Sequence, residues 1–273
     1  MIDRIKKYYN TKVLFEVINK LKGKEVAFLS KKKSTRCIKA HTYKFLLKNM
    51  AAFGFVKNPQ NIYYSLANLK NMPMFSFSWE KRKKQQADFN KNFESYVTSI
   101  DIGFDFDNHD KTKEGLDAAY NDTKTLKQVF DDYKLPYELK SSGSGFHINI
   151  NGVHLLECGY YDVEQQLNIF VHMIHQIKEI FNLKTLDTSV TDIRRIWKAP
   201  YSLDIKSGNV ALPLTDNQFD NFDSKILNPE YVLKNIKLFK RGNLERNRTK
   251  SENLKKFIKD YVYFEKWEDQ EKY

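Results

Sequence analysis

In the stretch Thr98-Ser99-Ile100-Asp101-Ile102-Gly103-Phe104-Asp105-Phe106-Asp107, the apolar Ile100, Ile102, Phe104 and Phe106 alternate with Ser99, Asp101, Gly103, Asp105 and Asp107. A strand turns successive side chains to opposite faces, so this period predicts one strand with Ile100, Ile102, Phe104 and Phe106 toward a core. Asp101, Asp105 and Asp107 then share the other face. Carboxylates at i and i+2 leave a strand close together and repel unless a cation joins them. Oxygen ligands of this type suit Mg²⁺ or Mn²⁺, which keep waters and add substrate phosphates to their shell. Nucleases, glycosyltransferases and plain surface strands also carry Asp-x-Asp, so the pair alone leaves these alternatives open.

Working outward, a helix is expected over roughly 112–134, stopped by Pro136. Tyr137 to Ser141 and Phe146 to Ile150 read as strands separated by Ser142-Gly143-Ser144-Gly145. Val163, Leu167, Phe170, Ile174, Ile177 and Phe181 are spaced alternately by four and three, the pattern of a long amphipathic helix. Upstream, residues 2–22 read as a helix with Leu14, Ile18 and Leu21 on one stripe, and Glu25 to Leu29 and Ile62 to Leu69 read as strands. Asp187 to Leu214 mixes a short helix with strands, and the chain beyond Asn228 is helical and basic. Strands alternating with long helices predict a mixed α/β fold, with residues 1–227 as the core and 228–273 as a basic helical appendage.

The chain has 273 residues, 41% hydrophobic and 14% aromatic, enough to bury a sizeable core. Lys and Arg outnumber Asp and Glu by 46 to 34, and the net charge of +12 favours polyanionic partners. Its two cysteines, Cys37 and Cys158, are too few for a four-cysteine zinc knuckle and fit a reducing compartment. No apolar run reaches the roughly 18 residues of a membrane span. The reading is of a soluble protein, cytoplasmic or nucleoid-associated. The runs Lys31-Lys32-Lys33 and Lys81-Arg82-Lys83-Lys84 read as solvated loops, Glu157-Cys158 as a strand-end turn, and Trp79, Trp197 and Trp267 as core residues. His172 and His175 fall on the polar side of their helix.

Two further constellations carry chemistry. In Ser142-Gly143-Ser144-Gly145-Phe146-His147 the glycines allow a tight turn, while backbone N–H groups and serine hydroxyls can cradle an anion. An ordinary hairpin loop with a satisfied histidine is the other reading. After Leu186-Asp187 come Arg194, Arg195, Lys198 and Lys206. A carboxylate trailed by cations is what phosphoryl transfer uses, because catalysis there is mostly positioning and charge neutralisation. Surface ion pairing of Asp187 or Asp192 with the arginines is the alternative.

In this order, the Asp-x-Asp strand, the Ser-Gly-x-Gly-x-His hairpin and the Leu-Asp step with its basic tail resemble the three motifs of archaeo-eukaryotic primases. Asp187-Thr188-Ser189-Val190-Thr191-Asp192, running on to Pro200-Tyr201-Ser202-Leu203, is similar to the family's third motif and its following segment. Ile62-Tyr63-Tyr64-Ser65 and Asn71-Met72-Pro73 resemble the segment before the first motif in primase small (catalytic) subunits. The resemblance spans roughly residues 35–220. It implies a primase-polymerase catalytic fold, a curved mixed sheet flanked by helices with the aspartates in a cleft. It also implies Asp105, Asp107 and Asp187 as the catalytic, metal-binding carboxylates of a two-ion site for Mg²⁺ or Mn²⁺, with no zinc site. Ser142, His147, Arg195, Lys198 and Lys206 become contacts for the nucleotide's triphosphate. Where the family often has His after the Ser-Leu step this chain has Asp204, an acid that would repel a triphosphate.

The expected activity is template-directed synthesis of short RNA or DNA primers from nucleoside triphosphates on single-stranded DNA, with a primase large (regulatory) subunit as a partner. Lys240, Arg241, Arg246 and Arg248 are candidate nucleic-acid contacts; the stretch 237–250 could equally meet that subunit. An end-joining-type repair polymerase of the same superfamily is the nearest alternative, because its segment after the third motif also carries Ala-Pro-Tyr-Ser, here Ala199-Pro200-Tyr201-Ser202. A non-catalytic single-strand-binding replication protein and a glycosyltransferase are alternatives of other classes.

Overall fold

The computed structural model describes residues 7–9, 11–29, 34–39, 42–52, 61–108, 110–239 and 251–262. Its strands form two antiparallel sheets flanked by helices, the mixed α/β class read from the sequence. The first sheet has β1 (Lys24–Leu29), β2 (Ser34–Lys39), β3 (Asn61–Leu69) and β4 (Val97–Ile100) in the order β2-β1-β3-β4. The second has β5 (Ile102–Phe106), β6 (Glu138–Ser141), β7 (Phe146–Ile150) and β8 (Leu186–Asp187) in the order β6-β7-β5-β8. The short β9 (Ile196–Lys198) pairs with the Tyr63–Ser65 end of β3, while β4 pairs with its Ala67–Leu69 end.

The expectation of one strand over 98–107 is corrected here: the run is two strands in two sheets, parted at Asp101. Period-2 alternation survives the switch, which is why the sequence conceals it. Asp101 is only 2% exposed and is not part of the cluster that Asp105 and Asp107 join. Its carboxylate accepts from Lys24 Nζ at 2.7 Å, Asn68 Nδ2 at 2.8 Å, Asn149 Nδ2 at 3.2 Å and the Gly152 backbone N–H at 3.0 Å. Those donors come from both sheets and the turn after β7, so Asp101 ties the two sheets together.

The helices are α1 (Thr11–Lys20), α2 (Tyr43–Ala52), α3 (Trp79–Lys91), α4 (Phe93–Tyr96), α5 (Lys113–Asp132), α6 (Val153–Glu157), α7 (Val163–Ile180), α8 (Asp216–Asp220), α9 (Pro229–Phe239) and α10 (Ser251–Tyr261). Thr112 caps α5 by accepting from the Gly115 N–H, and Asp162 caps α7 by accepting from Gln165. These caps satisfy N–H groups that a helix start leaves without partners. α5 buries Ala119, Thr123, Leu126 and Phe130 against β5 and β7, and α7 buries Ile169, Phe170, Met173, Ile174 and Ile177 against β4 and β5. Ile102, Phe104 and Phe106 on β5 are fully buried, so the apolar face predicted for that strand is the one the helices cover. α10 adds Leu254, Phe257 and Ile258 to the same core, with Phe257 edge-on to Phe130 at 5.3 Å.

Other expectations change. Lys81–Lys84 lies on α3 rather than a loop, and Arg82 is 1% exposed, its guanidinium donating to the Arg36, Cys37 and Ser76 carbonyls. Trp79 is exposed, whereas Trp197 is buried as expected. Glu157-Cys158 ends α6, not a strand. Residues 31–33 and Trp267 lie outside the described residues. No helix of the described residues is long and apolar enough to cross a membrane.

Candidate active site

One register line across the second sheet builds the site. Lys140 on β6 faces His147 on β7, His147 faces Asp105 on β5, and Asp105 faces Asp187 on β8. Directly paired residues in antiparallel strands project to the same side, so four chemically active side chains form a row. Asp107, two residues past Asp105, lies on that same side, and its backbone N–H donates to the Thr185 carbonyl just before β8. Each aspartate offers a carboxylate oxygen, and these oxygens all lie within 4.8 Å of one another. The three acids are half-buried. This is the only such group of potential metal ligands among the described residues.

The donor set fits a hard divalent cation. All its ligand atoms are carboxylate oxygens on short, packed strands, and three acids this close carry unfavourable repulsion that a cation relieves. The set does not distinguish Mg²⁺ from Mn²⁺. A sheet brings Asp187 to the pair because Leu186, buried beside Phe106, fixes the β5–β8 register.

Cations surround the acids. His147 Nε2 lies 3.0 Å from Asp105 Oδ1. Burial by itself raises the Asp105 carboxyl, but His147, Lys140 and Lys198 outweigh it and hold the group below the usual carboxylate range. Burial lowers His147, opposed by Asp105. Lys140 is pushed down to about 7, chiefly by burial. Its ammonium donates to the Lys198 carbonyl at 2.7 Å and to Tyr64 Oη at 3.2 Å, and sits 4.6 Å from the centre of the Tyr64 ring.

Trp197 on β9 closes the back of the row. Its ring centre is 4.3 Å from that of His147. A β-carbon at Gly103 would come within 2.3 Å of the indole, so glycine at that position is what admits it. Both His147 Nδ1 and Trp197 Nε1 are buried with no hydrogen-bond partner among the described residues. Unsatisfied buried polar atoms of this kind are costly, and a bound ligand would relieve the cost.

The remaining predicted residues divide. Ser142 is buried and its Oγ accepts from the Gly145 N–H at 3.0 Å, so that lone pair serves the turn itself. Gly143 adopts φ +94°, and a β-carbon on Gly145 would meet the Phe106 carbonyl oxygen at 2.2 Å. The turn therefore needs both glycines. Lys198 Nζ donates to the Ser142 carbonyl at 2.9 Å and lies 3.3 Å from Asp204 Oδ2. Asp204 is thus not a bare acid opposing a phosphate. It is buried, paired with Lys198, and accepts from the Lys206 N–H and Ser207 Oγ, which folds the 204–209 loop against the glycine turn.

Arg195 donates to the Ser189 carbonyl and lies 3.4 Å from Asp192 Oδ2. Ser189 in turn donates its backbone N–H to Asp187 Oδ1 at 2.8 Å and its hydroxyl to Oδ2 at 3.1 Å, orienting that carboxylate. Lys206 lies on that loop with its side chain exposed. Lys240, Arg241, Arg246 and Arg248 lie outside the described residues. His172 and His175 are exposed on α7, away from the site. Sequence reading passed over Lys140, Ser189 and Trp197. Lys140 had one available signal: in a two-residue-period strand its parity puts it beside His147 across the hairpin.

No family model matches the chain, and no curated protein does. Among solved structures, the chain is similar to the polymerase domain of Mycobacterium tuberculosis ligase D, in complex with DNA, with a TM-score of 0.50 and 13% sequence identity. The likeness covers 93% of this chain and 91% of that one. At this identity it shows that the two share a fold.

Proposed function

We propose that the chain is a divalent-metal-dependent, template-directed nucleotidyltransferase of the primase-polymerase type. The observation that carries the reading is the convergence of Asp105, Asp107 and Asp187, from two distant segments, within 4.8 Å and beside a buried His and Lys. Asp105, Asp107 and Asp187 would hold Mg²⁺ or Mn²⁺, which when bound supplies charge neutralisation to the attacking and leaving oxygens. His147, kept in place by Asp105 and Trp197, can donate Nδ1–H to a nucleotide phosphate as the imidazolium, the form that a bound polyanion favours against burial. Lys198 and Lys140 contribute positive potential behind the row, where charge gathers on a departing pyrophosphate. Arg195 acts through Ser189 to orient Asp187. In the reaction a 3′-hydroxyl attacks the α-phosphate of a nucleoside triphosphate, loses its proton and displaces pyrophosphate.

Two uses of this chemistry compete. Primer synthesis is favoured by the Val190-Thr191-Asp192 pattern and by the N-terminal third, with Tyr64 on β3 standing against Lys140. Gap filling in end joining is favoured by the likeness to the ligase D polymerase domain. Purified protein with Mn²⁺ and labelled ATP or dATP separates them. Dinucleotides on an unprimed single strand support a primase. Extension confined to primed gaps carrying a 5′-phosphate supports a repair polymerase. Strand binding with no incorporation under any divalent metal would refute the catalytic reading.

A further inference from the structure

Arg194 and Arg195 are neighbours in the chain but serve different places. Arg195 reaches Ser189 near the acidic cluster, whereas Arg194 lines a separate cavity of about 470 Å³ with Arg36, Arg82, Phe77 and Trp79. That volume is in the range of ligand pockets, roughly 300–1,000 Å³. Among the described residues, no carboxylate lines the cavity. Glu25, fully buried, takes Arg36 in a two-point pair at 3.0–3.1 Å and has Arg194 at 3.6 Å. One carboxylate therefore faces two guanidinium groups, while Arg82 is held by backbone carbonyls. The Cys37 thiol in the wall feels the same inventory, with Glu25 acting against Arg194, Arg36 and Arg82.

The rim is aromatic and basic. Trp79 is 71% exposed, an unusual position for the largest apolar side chain, and Phe77, which lines the same cavity, is 46% exposed. Lys81, Lys83 and Lys84 are exposed on the same helix. A flat indole next to part-buried guanidinium groups matches the two parts of a nucleotide, a base that stacks and a phosphate that pairs with Arg.

We propose that this cavity binds one nucleotide unit, its phosphate on Arg36 and Arg194 and its base stacked on Trp79. The unit can belong to a single strand or to a free nucleotide. The inference goes beyond the polymerase reading and does not depend on it.

The test uses the whole chain in EDTA, so that the acidic cluster takes no part. One arm follows fluorescence anisotropy of labelled oligo(dT); the other follows quenching of tryptophan emission by ATP. Trp79→Ala should weaken strand binding roughly tenfold, within the range for loss of one stacked base. Trp79→Phe should retain most of the affinity. Arg194→Gln should lower the salt dependence by about one phosphate contact. A Trp79-dependent effect in the first arm alone identifies a strand as occupant, and one in the second arm identifies a free nucleotide; either supports the site. Circular dichroism checks that the variants fold, and affinities unchanged by Trp79→Ala in both arms overturn the proposal. Strand binding through Trp79 by a protein that incorporates no nucleotide would refute the polymerase reading and leave this site standing.

Discussion

Asp105 and Asp187 face each other as direct partners across the β5–β8 ladder, and with Asp107 they bring carboxylate oxygens within 4.8 Å. Three acids so placed repel in the absence of a cation, and their pairing is set by buried neighbours rather than by the acids themselves. Replacing Asp105, Asp107 or Asp187 by Asn should therefore leave the protein folded without metal. Nucleotide incorporation should fall by ~10²–10³ or more, the scale for losing one transition-state charge contact. Mn²⁺ should raise the melting temperature of the wild type, by mass action on the folded form, and should do so much less for Asp187→Asn. Primer extension and thermal melts read both effects. Near-normal synthesis by the Asp105 or Asp187 variant would remove the site.

A second prediction concerns Asp101, which shares the alternation of Asp105 and Asp107 but not their cluster. Its partner Lys24 is buried, and burial lowers the Lys24 ammonium while Asp101 sustains its charge. Asp101→Asn would strand that ammonium in the interior. Breaking a buried pair by removing one member costs about 3–5 kcal/mol. The double variant Asp101→Asn with Lys24→Met removes both charges and should recover a large part of the loss. Urea midpoints of the two singles and the double give the coupling. If Asp101→Asn is as stable as the wild type, the carboxylate does not tie the sheets.

Much of this architecture was legible because it rests on local periodicity. The stripe on α7, the apolar face of β5 and the Asp-x-Asp and Leu-Asp steps all come from spacing that a strand or helix enforces. What stayed hidden depends on long-range partners. A change of sheet at Asp101 leaves the two-residue alternation intact, so only Lys24, Asn68 and Asn149, distant in sequence, reveal it. Asp204 looked repulsive until Lys198 was found against it. Arg82 sits in a run of lysines and shares their hydrophilicity, yet three backbone carbonyls from β2 and the following turns draw it inside.

Gly103 gives a third prediction. It leaves room on the face of β5 for the Trp197 indole, which in turn packs on His147. Gly103→Ala should force that ring aside, at a cost of about 1–3 kcal/mol for an overpacked core. Incorporation should fall with it, because His147 loses its backing. Combining Gly103→Ala with Trp197→Phe, which shortens the ring system, should restore stability more than the single effects predict. Melting temperatures of the four proteins test this; strict additivity would show that the glycine does not serve the indole.

The last prediction is pH-dependent and lies outside the acidic cluster. Burial, with Glu25 adding to it, pushes the Cys37 thiol from its ordinary 9.0 up to about 12, against the pull of the neighbouring arginines. The raised value means that the folded chain keeps this proton where the unfolded chain releases it. Its contribution to stability is then fully present below pH 9 and is lost as pH rises toward 12. Native protein at pH 8.5 should accordingly react slowly at Cys37 with iodoacetamide, and unfolded protein quickly, since only the thiolate attacks. Replacing Cys37 by Ala should flatten the decline in urea midpoint between pH 9 and pH 11 relative to the wild type. Peptide mapping of the alkylated chain separates Cys37 from Cys158, and rapid native labelling at position 37 would contradict the buried, proton-retaining thiol.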